Sequence, residues 1–389
     1  MVHPFHIIPK IRWRSKKGEY LGRTIESTIL TGTEEPSRKE NRSSSGDQRE
    51  ATTTGGIKDK TVESAILART QGSSENRSSH RKGAKQIEID GQGISSVSFL
   101  VDGTHVVSSS MDGTVRRWQV EDGEEVGKPM HAGSSIFSVA VSQDGKWIVG
   151  GTDNGLVTVW NAESYSKVIE WQAHTEDRVY AVDVSPDGTR IATGADDQTA
   201  CVWSLPTGER LLDPFKHDQW VVAVKFSPNG RLIATATWRH DVRVYDSQNG
   251  RLLVEFPVKV DSALNQSLAW ASDSKQLFAL SRDGNVRCLD VSTGKVLWKW
   301  AIHSSKDTKC IALAGNGTFI AVSAASSISF WDTATREQIG SVIEHTRDIW
   351  SMAISTNYDL VISGDKTFTL SGLYDILPSR YFHHVCVSA

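Results

Sequence analysis

His174-Thr-Glu-Asp-Arg-Val-Tyr-Ala-Val-Asp-Val-Ser-Pro-Asp-Gly-Thr-Arg-Ile-Ala-Thr-Gly-Ala-Asp-Asp-Gln-Thr-Ala-Cys-Val-Trp203 holds three short apolar runs separated by turn residues. Val179 to Ser185 reads as a first strand, Pro186-Asp-Gly as a tight turn and Arg190 to Gly194 as a second strand. Asp196-Asp-Gln makes the next hairpin, Thr199 to Trp203 a third strand, Pro206-Thr-Gly another turn and Glu209 to Asp213 a fourth. The same wording returns between Gly93 and Tyr374 in seven copies of about 42 residues. The third strands end at Trp118, Trp160, Trp203, Tyr245, Leu289 and Trp331, spaced 42, 43, 42, 44 and 42 apart. One such unit cannot bury its own apolar face, so the period implies a stacked array that acts as one domain.

The turn joining first and second strands recurs as Asp102-Gly103, Asp144-Gly145, Asp187-Gly188, Asn229-Gly230 and Asn316-Gly317, dipeptides that tolerate positive φ. Only Asp273-Ser274 and Asn357-Tyr358 depart from it. An open array would leave an unpaired edge, which circular closure removes. The seventh copy has no clear fourth strand after Thr367-Phe-Thr-Leu, whereas Lys85-Gln-Ile-Glu-Ile89 precedes the first and resembles fourth strands such as Lys167 to Trp171. The expectation is that residues 85–89 complete the seventh unit.

Turn, spacing, third-strand tryptophan and loop histidine together resemble the WD40 β-propeller proteins over about residues 85–375, with Trp331-Asp332 the one literal Trp-Asp pair. The resemblance implies an all-β, seven-bladed propeller. It also implies a polar relay in each blade, running from a loop His through a second-strand Ser or Thr and a hairpin Asp to the third-strand Trp, whose buried N–H needs a partner. Blade three has the full set in His174, Thr193, Asp197 and Trp203. Blade one offers Ser108, Asp112 and Trp118 with Asp90 in place of His. Blade two offers His131 and Trp160 around Gly150 and Asn154, and blade four His217 and Thr235 with Arg239 and Tyr245. Blade five has only Asp283 and Leu289 near these places. Blade six offers His303, Ser323 and Trp331, and blade seven His345 and Ser363, which makes blades five and seven the expected weak sector.

His, Ser or Thr and Asp in reach of one another imitate a catalytic triad, but a repeated set ending in Trp reads as a brace, and a triad needs one exposed nucleophile beside an oxyanion site. No G-x-S-x-G, H-E-x-x-H or phosphate-loop motif occurs. His383, His384 and Cys386 lack the spacing of a metal site, so no metal and no cofactor is expected. Residues 1–84 carry 16 Lys and Arg against 10 Asp and Glu, net +6, and are rich in Ser, Thr and Gly, which predicts a basic disordered tail. Residues 85–389 carry net −9, and such an acidic body argues against a duplex-binding main surface. Residues 376–389 read as a short C-terminal extension. Four cysteines without paired spacing point to a reducing compartment, and no apolar stretch approaches the length of a membrane span. The expected setting is intracellular, cytoplasmic rather than nuclear.

Function is therefore expected on a surface. Loops from fourth to first strands and hairpins from second to third strands open on one rim, the top. At and beside the heads of the first strands stand Phe137, Tyr180, Trp220, Trp238, Arg282, Lys309 and Trp350, the aromatic and basic types of which partner hot spots are made. By the family's pattern these contact proteins or peptides, with blades two to four as the main sector and Lys309 and Arg282 suited to an acidic stretch. The reading is a non-catalytic interaction scaffold or adaptor. The contrasting readings are a regulatory subunit beside a separate signalling NTPase or ubiquitin ligase, a ribosome- or RNA-associated propeller, and an enzyme with its site in the channel. The wording also resembles the WD40 proteins that fungi carry in large numbers.

Overall fold

Strand-forming runs about six residues long, each closed by a turn dipeptide, fold into seven four-stranded antiparallel sheets. The computed structural model describes residues 85–88, 93–175, 177–260, 266–281, 283–302, 308–364 and 367–382. The tail expected over residues 1–84 lies outside the described residues, as do His383, His384 and Cys386. In blade three the strands Val179–Val184, Arg190–Ala195, Thr199–Ser204 and Phe215–Lys216 lie side by side in chain order. The fourth strand falls later than the sequence suggests. Arg210 makes only an isolated bridge to Trp203, and the ladder resumes after Pro214, which has no N–H to give.

Each sheet is too thin to hold a core of its own, so the core lies between sheets. Seven apolar clusters each draw on two neighbouring blades, with Ile136 and Val107 between blades two and one, and Val221 and Ala192 between four and three. Four further clusters continue the ring from blade two to three, four to five, five to six and six to seven. The seventh closes it, packing Ile94, Val97 and Trp118 of blade one on Ile362, Phe368 and Leu370 of blade seven. Residues 85–88 pair antiparallel with Thr367–Gly372, Lys85 opposite Leu370 and Glu88 opposite Thr367, and stand as the fourth strand of blade seven. The molecule is thus a closed seven-bladed β-propeller.

Two local devices shape the rim. Small residues at the end of second strands let the next blade approach. A Cβ on Gly194 would stand 2.6 Å from Val221, and one on Gly151 2.6 Å from Val179. In the first strands of blades one to four the ladder slips by one residue, at Ser95, Phe137, Tyr180 and Val222. Such a bulge leaves its residue unpaired and re-aims its side chain. The C-terminal segment also joins the core, because Leu373, Leu377 and Tyr381 pack beside Phe319 and Phe330, and Tyr381 donates its hydroxyl to Asp332 Oδ2 at 2.6 Å.

Candidate protein-interaction rim and its polar supports

In blade three Trp203 Nε1 donates to Thr193 Oγ1 at 2.9 Å, and Thr193 lies 2.7 Å from His174 Nε2. Since the Asp197 carboxylate can only accept, His174 Nδ1, 2.8 Å from Asp197 Oδ2, is the donor there, and in that tautomer Nε2 accepts the Thr193 hydroxyl proton. Burial alone would raise the Asp197 carboxyl, but hydrogen bonds from His174 and Thr199 outweigh it and hold it below its ordinary value. The chain of bonds ties the loop before blade three to its own hairpin.

The other blades hold parts of this arrangement. In blade one Trp118 Nε1 donates to Ser108 Oγ at 2.9 Å, while Asp112 turns to the amide and hydroxyl of Thr114. In blade two the fully buried Trp160 covers Gly150, whose Cβ would stand 2.9 Å from the ring. His131 stands exposed at the end of blade one's fourth strand, away from any such relay. Blade six requires a correction. Trp331 pairs opposite Ile320, so the relay position two residues on is Val322, and Ser323 is one residue out of step. A one-residue offset on a strand reverses the side chain's face. Ser323 Oγ accepts from the Cys310 amide at 3.0 Å, and Trp331 Nε1 donates instead to Ser329 Oγ at 2.8 Å. His303 lies outside the described residues. In blade seven Ser363 Oγ is 3.0 Å from His345 Nε2. The place of the tryptophan falls to Ser371, opposite Val361.

Blade four builds a different network around His217, whose Nε2 is 3.5 Å from the Tyr245 hydroxyl and whose Nδ1 is 3.4 Å from Arg243 Nη1. Thr235 does not join them; its hydroxyl donates to the Arg243 carbonyl at 3.5 Å. Burial, then the Arg243 charge, pushes the imidazole down to about 4, so it is neutral at ordinary pH. Arg243 is held by the buried Asp241, with Nε 2.7 Å from Oδ2. Asp241 was not singled out from sequence. The available signal is its place four residues before Tyr245, as Thr199 stands four before Trp203.

Above these supports lies a continuous aromatic run. Phe137 meets Tyr180 edge to face at 5.8 Å, and Tyr180 leans on Trp220 at 6.3 Å. Trp220 stacks on Trp238 at 4.7 Å with the planes 6° apart, and Arg239 lies over Trp238 at 4.4 Å. Three blades contribute, and Trp220 remains 37% exposed. Tyr180 is itself buried, its hydroxyl pushed up to about 12 by burial and by the Asp196 charge. Burial likewise lifts the Asp196 carboxyl to about 6, against the pull of Tyr180 and Arg178. Across the ring Trp350 is 45% exposed under Lys309, 5.1 Å from the ring centre. Lys309 also pairs with Asp348 at 2.7 Å, so part of its charge is already answered within the protein. Arg282 lies outside the described residues.

One of the residues that the sequence places at the heads of the first strands ties the rim across the axis. Gln266, at the head of blade five, donates Nε2 to Ser351 Oγ of blade seven at 2.7 Å and accepts from the Met352 amide at 2.5 Å. Its own carbonyl accepts from Ile311 of blade six at 2.7 Å, and Ser351 Oγ accepts from the Val97 amide of blade one at 2.9 Å.

Fold and rim together define a closed seven-bladed propeller. The chain belongs to the WD40-repeat family. The model for the WD domain, G-beta repeat, matches residues 84–119, 126–161, 165–204 and 209–246. Each match takes the fourth strand of one blade with three strands of the next, which is why residues 85–88 serve the last blade. The chain is 31% identical over 249 residues to the small ribosomal subunit protein RACK1 of Caenorhabditis elegans, covering 61% of this chain and 75% of that one. It is 25% identical over 150 residues to actin-interacting protein 1 of Drosophila melanogaster, 38% of this chain and 25% of the relative. With WD repeat-containing protein SL1-17 of Schistosoma mansoni it shares 29% over 171 residues, 43% of this chain and 56% of the relative. The chain thus spans a quarter to just over half the length of these last two. Propellers of this family are typically protein-interaction scaffolds and generally non-catalytic.

Proposed function

We propose that this propeller is a non-catalytic adaptor that docks a protein or peptide segment on its top rim, on the surface from Phe137 through Tyr180 and Trp220 to Trp238. The observation that carries this is the Trp220–Trp238 stack, 4.7 Å apart and held by a buried tyrosine beneath it. Exposed, pre-positioned aromatics of this kind give large contact area without the cost of ordering side chains on binding. The buried relay and the Arg243–Asp241 pair supply the rigidity and leave no exposed nucleophile among the residues they use. Three buried free thiols, Cys201, Cys288 and Cys310, are pushed up to about 11, 12 and 12 by burial, which supports residence in a reducing, intracellular setting.

The test is affinity capture from native extract with the intact chain and with a Trp220→Ala/Trp238→Ala variant, followed by direct binding to each recovered partner. Loss of at least one partner's binding in the variant, with thermal stability retained, is the expected result. Identical partners and affinities would overturn the top-rim site. The likeness to a ribosomal subunit protein favours a second reading, in which the partner is the ribosome. That reading requires co-sedimentation with ribosomes that weakens steeply with salt.

A further inference from the structure

On the side opposite the top rim, the turn between third and fourth strands has a residue in the left-handed region in every blade from one to six. It is Gly123, Tyr165, Gly208, Gly250, Gly294 and Arg336, each five residues after the third-strand landmark, with φ of 78, 58, 72, 73, 70 and 64°. In blades three to five these turns press on the preceding blade's fourth-strand segment. A Cβ at Gly208 would stand 3.1 Å from Trp171, at Gly250 3.1 Å from Phe215 and at Gly294 3.1 Å from Val254. Tyr165 fills the same groove with its ring, so tightly that a Cβ on Gly127 would lie 2.3 Å from it. Blade six alone places a cation here. A left-handed non-glycine residue costs about 1 kcal/mol or more, a strain more often kept at functional positions than elsewhere.

Where the grooves before blades two to five are closed by glycine or filled by tyrosine, the groove between blades five and six holds a cavity of about 300 Å³. Blade five lines it with Gln276, Phe278 and Trp298, and blade six with Gly317, Thr333 and Arg336. The Arg336 guanidinium lies 5.9 Å from the centre of the Trp298 ring. No carboxylate belongs to the lining, and among the described residues none forms an ion pair with Arg336. Trp298 sits on Lys295–Ala301, the outermost strand of its sheet, whose backbone edge is open and whose exposed side chains include Lys295, Val296, Leu297 and Lys299. Asp290, opposite Lys295, is engaged with Ser292 and Thr293.

We propose that this groove is a second docking site, one that takes an extended acidic segment of a partner protein. The segment runs along the open edge of blade five, its carboxylates facing Lys295 and Arg336 and an apolar side chain entering the cavity against Trp298 and Phe278. Main-chain pairing at a sheet edge gives such a segment affinity, and the pocket and basic rim give it selectivity. A free small carboxylate could reach Arg336 but would leave the edge unused.

The probe is a capped, fluorescent octapeptide of repeating Glu-Glu-Leu-Leu, which puts both residue types on each face of an extended chain, titrated by anisotropy against the full chain, with the matching glutamine–leucine and lysine–leucine peptides beside it. The glutamate peptide is expected to bind, to shift the Trp298 indole N–H resonance assigned with Trp298→Phe, and to outbind the other two by about tenfold or more. Arg336→Gly restores the residue that four other blades use and should keep the fold while weakening the peptide about tenfold. Arg336→Asn, which also tolerates a left-handed turn, repeats the test if glycine loosens the blade. Trp220→Ala/Trp238→Ala should leave this binding unchanged, which separates the groove from the top rim. No binding at about 1 mM, equal binding by Arg336→Gly and Arg336→Asn, equal binding of the lysine peptide, or an unmoved Trp298 resonance would each overturn the proposal. Competition by free benzoate with no residual peptide preference would overturn it in favour of a small-carboxylate pocket.

Discussion

Thr193 occupies the point where two buried donors and acceptors of blade three meet, the Trp203 indole and the His174 ring. Thr193→Val keeps the volume and removes the hydroxyl, leaving both groups buried without that partner. Unmet buried polar groups cost about 1 to 3 kcal/mol each, so urea unfolding should show a loss of about 3 kcal/mol. Ser363→Ala, which takes one partner from His345 and has no tryptophan above it, should lose about 1 kcal/mol. Equal small losses at both sites would show that the relay is not a brace. His217 carries a pH signature of opposite origin. Its folded value of about 4 lies below that of an unfolded histidine, so the unfolded chain takes up the proton first. Its contribution is complete above about pH 6.5 and is lost as pH falls toward 4, by up to about 3 kcal/mol. Asp196, raised to about 6, acts in the reverse sense, since the folded state binds the proton first and stability falls as pH rises through the same window. The two partly cancel in the parent protein. Comparing urea stabilities of parent and His217→Gln at pH 7 and pH 4.5 isolates the first, and parallel losses would contradict the assignment. The relay in blade three was legible because all four residues fall within one repeat. Ser323 was misread for want of the register, which one missing hairpin residue shifts.

At the scale of the strand, residues 85–88 and the bulges at the heads of first strands matter most. Residues 85–88 supply the outer strand of blade seven through backbone pairing with Thr367–Gly372. Removing residues 1–89 should strip amide-exchange protection from Phe368 to Leu370 and speed proteolysis there, while the strands of blade three keep theirs. Unchanged protection in blade seven would mean that this edge does not depend on the strap. Seven sets of alternating apolar residues and turn dipeptides made the strands readable in advance. The short, late fourth strands of blades one and three were not, because Pro129 and Pro214 interrupt a ladder whose continuation depends on the neighbouring strand. The bulges were also hidden. Nothing in Val-Tyr-Ala-Val marks Tyr180 as the unpaired residue; the slip shows only when the strand is laid against Arg190–Ala195. Blades five to seven keep the sheet although the family model's matches end at residue 246, and the inter-blade clusters continue through them.

Over the whole molecule, closure converts seven similar sheets into positions that are no longer equivalent. Gln266 links blades five, six and seven at the axis, Trp220 and Trp238 stack over blade four, and Arg336 stands over a groove that other blades close with glycine. Strand number, blade count and the all-β class could be read from the chain alone, since a period of about 42 residues, its turns and its alternation are encoded inside each repeat. Which side chains meet was settled only by the folded ring. Those contacts join residues one or more repeats apart, and they depend on sheet twist, strand register and the approach of one blade to the next, none of which any single repeat contains.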